Sequence, residues 1–181
     1  MTPETEQGDY TIRLSRASDL PLLGEIEHAA AGLFADMELV AAGVLDDVTT
    51  LAEFEEAHSL ANLWVAAAPS SEPVGFAFVE EIGGGAHLDE LDVHPDHGRR
   101  GLGANLVRAV CAAARERGLA SVTLTTFRDV PWNAPFYESL GFRALDPEEL
   151  SPELSDRVRS EATRGLPAEL RVVMQWRAQA P

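Results

Sequence analysis

The stretch His94-Pro95-Asp96-His97-Gly98-Arg99-Arg100-Gly101-Leu102-Gly103-Ala104-Asn105-Leu106 constrains this chain more than any other, because it joins an apolar strand to a long helix through a glycine-rich, doubly basic turn. The first N–H groups of a helix have no intrahelical partner, and the aligned peptide dipoles make that end attractive to anions. This helix start has no Ser, Thr or Asp cap and no acidic first turn. Gly101 and Gly103 remove the side chains that would keep a ligand off the backbone, while Arg99 and Arg100 add charge. The pattern predicts a strand, a phosphate-binding turn and a helix whose missing cap is a ligand.

At 181 residues with 45% hydrophobic content, the chain is long enough for one domain with a full core, expected over residues 9–178 behind a disordered tail of residues 1–8. It has no run of about 18 apolar residues and no basic-then-apolar leader, so no membrane span is expected and a cytoplasmic location is. The single cysteine, Cys111, lies in the apolar run Val110 to Ala114 and reads as a buried, inert thiol. With 14 basic against 30 acidic residues the formal net charge is −16, which disfavours a nucleic-acid partner because phosphate backbones need a basic face. That acidity reads first as a solvated surface; a cationic amine drawn to acidic walls is the sharper alternative.

Tyr10 to Leu14 alternates as a first strand, and Ser18 or Asp19 caps a helix with Leu22, Leu23, Ile26 and Ala30 at helical spacing. After an irregular segment with Gly32 and Gly43, a second helix is expected from about Thr49 to His58. Leu63–Ala67 and Val74–Val79 form an antiparallel pair around the turn at Pro69–Pro73. The strand His87–Val93 then leads through the glycine turn into a helix from about Leu102 to Arg117, which stops at Gly118. Ser121–Thr126 is the next strand, reached by a right-handed crossover. A short helix spans Asn133–Leu140, Phe142 opens a strand, and Ser151 begins a helix with Leu154, Val158 and Ala162 at core spacing. Leu170–Trp176 is the last strand. The fold class is α/β (α+β), with a mixed, mostly antiparallel sheet of about seven strands and flanking helices.

The segment His94–Leu106 resembles the acetyl-coenzyme A signature of the GNAT superfamily of acyl-CoA-dependent N-acyltransferases, Gln/Arg-x-x-Gly-x-Gly/Ala after a hydrophobic strand. Counting back from Gly101, the Gln/Arg slot falls on Gly98, with the basic residues one and two places later. A second resemblance lies in Phe136-Tyr137-Glu138-Ser139-Leu140-Gly141-Phe142, a tyrosine four places before Gly-Phe, and the order of elements matches the GNAT fold across almost the whole chain. The resemblance implies acetyl-CoA as co-substrate and no metal. It implies coenzyme contacts at Leu91, Asp92 and Val93, at Gly98, Arg99, Arg100, Gly101, Leu102, Gly103 and Ala104, and at Asn133, Phe136 and Tyr137. The backbone of Leu91–Val93 would pair with the pantetheine arm where this strand splays from Val122–Thr126.

By the same resemblance Tyr137 is the general acid towards the departing thiolate. A phenol near 10 facing a thiol near 8.5 makes full proton transfer uphill by ~2 kcal/mol, so Tyr137 is either acidified or mainly a hydrogen-bond donor. On the strand His87–Val93, simple alternation puts His87, Asp89, Leu91 and Val93 on one face and Glu90 and Asp92 on the other, although the family carries a bulge here that interrupts parity. His87 and Asp89 align with a proton-removal path that the family carries on this strand and are preferred to Glu90, which with Phe34 is assigned to the acceptor. Freeing an ammonium near 10 at pH 7 costs about 4 kcal/mol, which such a path would meet.

The implied reaction is direct attack of a primary amine of a small molecule on the thioester, with a homodimer as the alternative to a single copy. A non-catalytic acyl-CoA sensor is the competing function; it needs only the phosphate cradle. A dinucleotide-binding fingerprint fails on spacing, since Gly101-x-Gly103-x-x-Leu106 lacks the third glycine. His94-x-x-His97 invites a metal reading but offers no third ligand.

Overall fold

A computed structural model describes residues 9–34 and 48–178. The expected tail at residues 1–8 and residues 35–47 of the expected irregular segment lie outside the described residues. Chain order runs β1 (Thr11–Leu14), α1 (Leu20–Ala31), α2 (Leu51–Ser59), β2 (Leu63–Ala67), β3 (Pro73–Ile82), β4 (Gly85–Val93), α3 (Leu102–Glu116), β5 (Ser121–Phe127), α4 (Ala134–Ser139), β6 (Arg143–Ala144), α5 (Pro152–Thr163) and β7 (Arg171–Arg177). The strands form one mixed sheet in the order β1-β2-β3-β4-β5-β7-β6. Only β4 and β5 pair in parallel, as the α3 crossover between them requires.

The two sheet faces are covered differently. Leu102, Leu106, Val107, Val110 and Ala114 of α3 pack on Ala77, Ala86, Leu88, Val122, Leu124 and Met174. On the opposite face Leu20, Leu23 and Ile26 of α1 and Phe54 and Ala57 of α2 meet Leu63, Val65, Phe76 and Phe78. Farther along the sheet, α5 contributes Leu154 to a small cluster with Leu145 and Val173. Thr50 forms a full capping box with Glu53 at the start of α2, and Ser151 accepts the Leu154 N–H at the start of α5.

Two local expectations are corrected. Asp19 occupies the N-cap of α1 without capping it; its carboxylate accepts instead from Arg13 Nη1 and Nη2 at 2.6 and 3.0 Å and from the Arg16 N–H at 2.7 Å, tying β1 to the helix start. In α5 the third core position is Glu161, not Ala162, which is exposed. An acidic side chain goes inside there because two arginines meet it, Arg157 and Arg171.

Phe76 is fully buried and meets the ring of Phe54 edge to face at 5.3 Å. Replacing Phe76 by Ala is expected to lower stability by about 3–5 kcal/mol, read as a fall in the urea midpoint at unchanged slope.

Candidate active site

The site begins where a ladder stops. β4 pairs with β5 at Ala86↔Val122, His87↔Thr123 and Leu88↔Leu124, and no further. Opposite β3 the register jumps, with Phe78 facing Glu90 but Val79 facing Leu88, so Asp89 is an extra, bulged residue. A bulge bends its strand and raises local twist, which carries β4 away from β5 and leaves the backbone of Leu91–Val93 on the edge of a gap.

The bulge also resets which side chains share a face. Ala86 and Leu88 before it and Leu91 and Val93 after it all pack towards α3. His87, Glu90 and Asp92 therefore face the other way, which replaces the simple alternation of His87 and Asp89 with Leu91 and Val93.

His87 has no exposed surface, and its Nδ1 lies 2.9 Å from Thr123 Oγ1. Because Thr123 gives its one proton to the Ala86 carbonyl at 3.3 Å, its oxygen accepts from Nδ1–H, and the imidazole is neutral with an unpartnered Nε2. Burial first, then the Arg157 and Arg171 charges, push His87 down to about 3. Asp89 is ion-paired with Arg157 of α5. His87 is thus sealed from an incoming amine, and the Asp89 carboxylate is committed to Arg157.

Glu90 and Asp92 are half-buried, keeping some surface towards the gap while sitting deep enough for desolvation to dominate. Burial, then Asp92, then Glu27 of α1 raise Glu90 well above the carboxylate range, and burial with Glu27 raises Asp92 to about 8. Glu27 is itself held by the Thr49 N–H at 2.9 Å. The carboxylates of Glu90 and Asp92 also act on Tyr137: burial first, then these two charges, lift its phenol above the ordinary value, with Arg171 opposing them. Tyr137 is fixed by its rings' neighbours, Phe136 at 5.0 Å and Phe142 at 5.7 Å, and by its N–H to the Asn133 carbonyl at 3.1 Å.

Beyond Val93 the chain makes a short 3-10 turn at Pro95–His97. Arg99 and Gly101 both take left-handed backbone conformations, φ 58° and 74°, which gather successive amides into one concavity. The first helical bond of α3 is Asn105 N–H to the Gly101 carbonyl at 3.0 Å, so the N–H groups of Leu102, Gly103 and Ala104 have no partner within the helix, and no side chain caps them. A Cβ on Gly103 would point at Phe136, Leu91 and Val93, 3.6 to 4.0 Å away, filling the space between α3, α4 and β4. Arg99 and Arg100 are exposed at the rim, and Gly98 precedes them. These bare amides, paired cations and the open strand edge fit a diphosphate with an extended arm. Asn133 starts α4 without capping it by its side chain; its Nδ2 donates to Thr126 Oγ1 at 2.8 Å, orienting Oδ1 as an acceptor.

Phe34 closes one side with Phe127 at 5.8 Å and Trp132 at 6.0 Å. Several contributors escaped the sequence reading. Tyr10 supports the turn from below, its hydroxyl 2.8 Å from His97 Nδ1 and its ring 5.8 Å from the Arg100 guanidinium. Glu27 had a legible signal, an acidic residue one place after Ile26 and three before Ala30 on the buried face of α1. Arg157, Glu161 and Arg171 had none beyond the (i, i+4) spacing of the first two.

The chain belongs to the acetyltransferase (GNAT) family, whose model matches residues 33–142. It is 32% identical over 118 residues to mycothiol acetyltransferase of Nocardiopsis dassonvillei, covering 48% of this chain and 33% of that protein. It is 38% identical over 58 residues to glucosamine 6-phosphate N-acetyltransferase of Trypanosoma brucei brucei, covering 32% of this chain and 37% of that protein. The chain thus spans about a third of the length of these curated relatives. Among solved structures the fold matches the PaiA N-acetyltransferase of Thermoplasma acidophilum in complex with coenzyme A, with TM-score 0.68 and 17% identity over 94% of this chain and 99% of that one. It also matches a GNAT acetyltransferase of Staphylococcus aureus Mu50, with TM-score 0.70 and 15% identity over 94% and 100%. Among the described residues no helix is long and apolar enough to cross a membrane.

Two outcomes follow from this geometry. Gly103→Asp puts a carboxylate beside the bare amides and is expected to weaken coenzyme A binding by roughly 100-fold in calorimetric titration, with Gly101→Asp doing the same. For His87, a folded-state value near 3 against an unfolded value of 6.5 means its contribution is whole above pH 6.5 and lost as pH falls towards 3. The stability gap between the native protein and His87→Gln should narrow over that window in pH-dependent urea melts.

Proposed function

We propose that this chain is an N-acetyltransferase that moves the acetyl group of acetyl-CoA to a primary amine of a small molecule by direct attack, working in the cytoplasm as one copy or a homodimer and without a metal. The observation that carries this reading is the gap where β4 parts from β5, headed by the uncapped start of α3, with Tyr137 within electrostatic reach of Glu90 and Asp92. The Leu102, Gly103 and Ala104 amides with Arg99 and Arg100 would hold the diphosphate, the Leu91–Val93 edge and Asn133 Oδ1 the arm, and Phe136 its side. The coenzyme supplies an activated thioester carbonyl; proton management is left to the protein.

Glu90, neighboured by Asp92, takes the amine proton in this reading, in place of His87 and Asp89. An imidazole sealed at about 3 is too weak a base, and Asp89 is committed to Arg157. The choice is energetic. A carboxylate near 4.3 takes a proton from an ammonium near 10.4 at a cost of about 8 kcal/mol, and burial that raises Glu90 well above the carboxylate range lowers that cost by about 1.4 kcal/mol per pKa unit.

Tyr137 donates a hydrogen bond to the departing sulfur. Its raised phenol opposes full transfer to a thiolate near 8.5, but the carboxylates cause part of that rise, so a proton arriving on Glu90 acidifies Tyr137 when the sulfur needs it. Phe34, with Phe127 and Trp132, would line the acceptor side.

Free-thiol release with a panel of amines tests the reading. Tyr137→Phe is expected to lower kcat by roughly 100-fold with KM for acetyl-CoA little changed, as is Glu90→Gln. In the native enzyme kcat/KM should climb with pH through an acid limb well above the ordinary carboxylate range, because the base is active only after Glu90 loses its proton, and that limb should vanish in Glu90→Gln. Tight acetyl-CoA binding with no turnover on any amine, unaltered by Tyr137→Phe, supports the sensor instead.

A further inference from the structure

A chain of charged side chains crosses the sheet where the β4–β5 ladder breaks. The last ladder pair is Leu88↔Leu124, and the next residues are Asp89 and Thr125. Instead of bonding to each other they are joined through α5 and β7. Asp89 pairs with Arg157, whose Nε lies 3.3 Å from Glu161 Oε1; Glu161 Oε2 accepts from Arg171 Nη2 at 3.2 Å, and the same Nη2 donates to the Thr125 carbonyl at 3.1 Å. Arg157 also reaches Glu80 at 3.2 Å, the β3 partner of His87. The members are largely out of water, with side chains 19% exposed at Asp89 and Arg157, 5% at Glu161 and 12% at Arg171. The far end is clamped by the Arg171 guanidinium stacked 4.9 Å over Phe127.

We infer that this relay is a strap that fixes the width of the β4–β5 gap and the bulge at Asp89, making Arg157 a positioning residue for Glu90 and for the coenzyme arm. Backbone groups that have lost their ladder partner tend to re-pair or slip. A one-residue slip at Asp89 would turn Glu90 towards α3 and bring the Leu91–Val93 edge back towards β5. Arg157 opposes both, because a guanidinium holding Asp89, Glu80 and Glu161 together sets their separations with a rigid fork. Buried ion pairs are poor sources of stability and are better explained as fixing a register. The groups facing Glu90 are Asp92 on its own strand, Glu27 from α1, Arg171 from β7 and Glu161 from α5, so two of the four belong to the strap. The inference rests on the reading of Glu90 as the base; its effect on the gap does not.

The test uses the full chain with Arg157→Gln, Arg157→Lys, Asp89→Asn and the Arg157→Gln/Asp89→Asn double variant. Arg157→Gln is expected to lower kcat by roughly 30-fold, to move the acid limb of kcat/KM downwards as Glu90 relaxes towards water, and to weaken coenzyme A by roughly tenfold in titration. Asp89→Asn should match it, and the double variant should cost no more than either alone. Arg157→Lys keeps the charge, folds if Arg157→Gln does not, and is expected to recover only part of each effect. Losses that multiply in the double variant, or an unmoved pH profile with native coenzyme A affinity in Arg157→Lys and Arg157→Gln, overturn the strap. If Glu90→Gln turns over normally, the assignment of the base fails instead, while the coenzyme A titrations still decide whether the strap sets the gap.

Discussion

One extra residue in β4 is the constraint on which the site depends. Asp89 has no partner on β3, and from that point the strand leaves β5 and reverses which of its side chains meet the α3 face. A regular strand here would have closed the ladder with β5 and put Glu90 in the apolar layer beside Leu88, where an acidic side chain has no compensation. The bulge therefore creates two things with one distortion: an edge of unpaired backbone and a face on which Glu90 and Asp92 stand together. Beyond the bulge, opposite Val93, Gly75 lets β3 and β4 approach closely, since a Cβ there would come within 2.8 Å of the Asp92 carbonyl oxygen. Such a distortion persists only where surrounding contacts over-determine it, and the Asp89–Arg157–Glu161–Arg171 relay with the His87–Thr123 bond supplies those contacts.

Much of this was legible in the residues because it depends on local chemistry. Gly118 after α3, Thr50 with Glu53 before α2 and the alternation of Ser121–Thr126 each fix an element through a short-range rule, and the observed ends fall within a few residues of those expected. The glycine turn was legible for the same reason, since left-handed backbone and bare amides follow from Gly101 and its neighbours. Side-chain direction along Gly85–Val93 was not, because a bulge is set by what lies across the sheet and period-two counting is blind to it. Likewise Glu161 reads as a solvated residue on a polar helix until Arg157, four residues before it, and Arg171, ten residues after it, are seen to converge on it. Asp19 was misread for a similar reason: an N-cap aspartate is usually a cap, but Arg13 on the adjacent strand outbids the helix amides for its carboxylate.

The net charge of −16 gains meaning from where its exceptions lie. Arg99 and Arg100 are exposed at the turn, whereas Arg157 and Arg171 are largely buried among carboxylates. The first pair is arranged to meet a mobile anion from solution, the second to hold fixed anions in place. An acidic surface repels a free polyphosphate at long range, and screening confines that repulsion to about 8–10 Å at ordinary ionic strength. Within that distance the rim arginines and the α3 amides present the opposite sign. On the proposed chemistry the same surface would favour approach of a cationic amine to Glu90 and Asp92.

The burial of Glu90 and Asp92 bears on turnover as well as on proton transfer. Two half-buried carboxylates beside Glu27 hold protons to a higher pH because burial and the neighbouring carboxylates penalise a further negative charge, for which Arg171 gives only partial compensation. An incoming ammonium supplies that compensation, so on the proposed chemistry the ground state of the acceptor complex is favoured by charge. Acetylation takes two protons from the ammonium nitrogen, one left on the carboxylate pair and one leaving with the sulfur as the free thiol, and the neutral amide no longer feels the charge attraction that held the acceptor. A site built with ordinary, solvated carboxylates would bind amine and amide more nearly alike. On the proposed chemistry the raised carboxylates therefore link proton transfer to the loss of the attraction that held the acceptor, and the bulge at Asp89 keeps both carboxylates on the same side of β4.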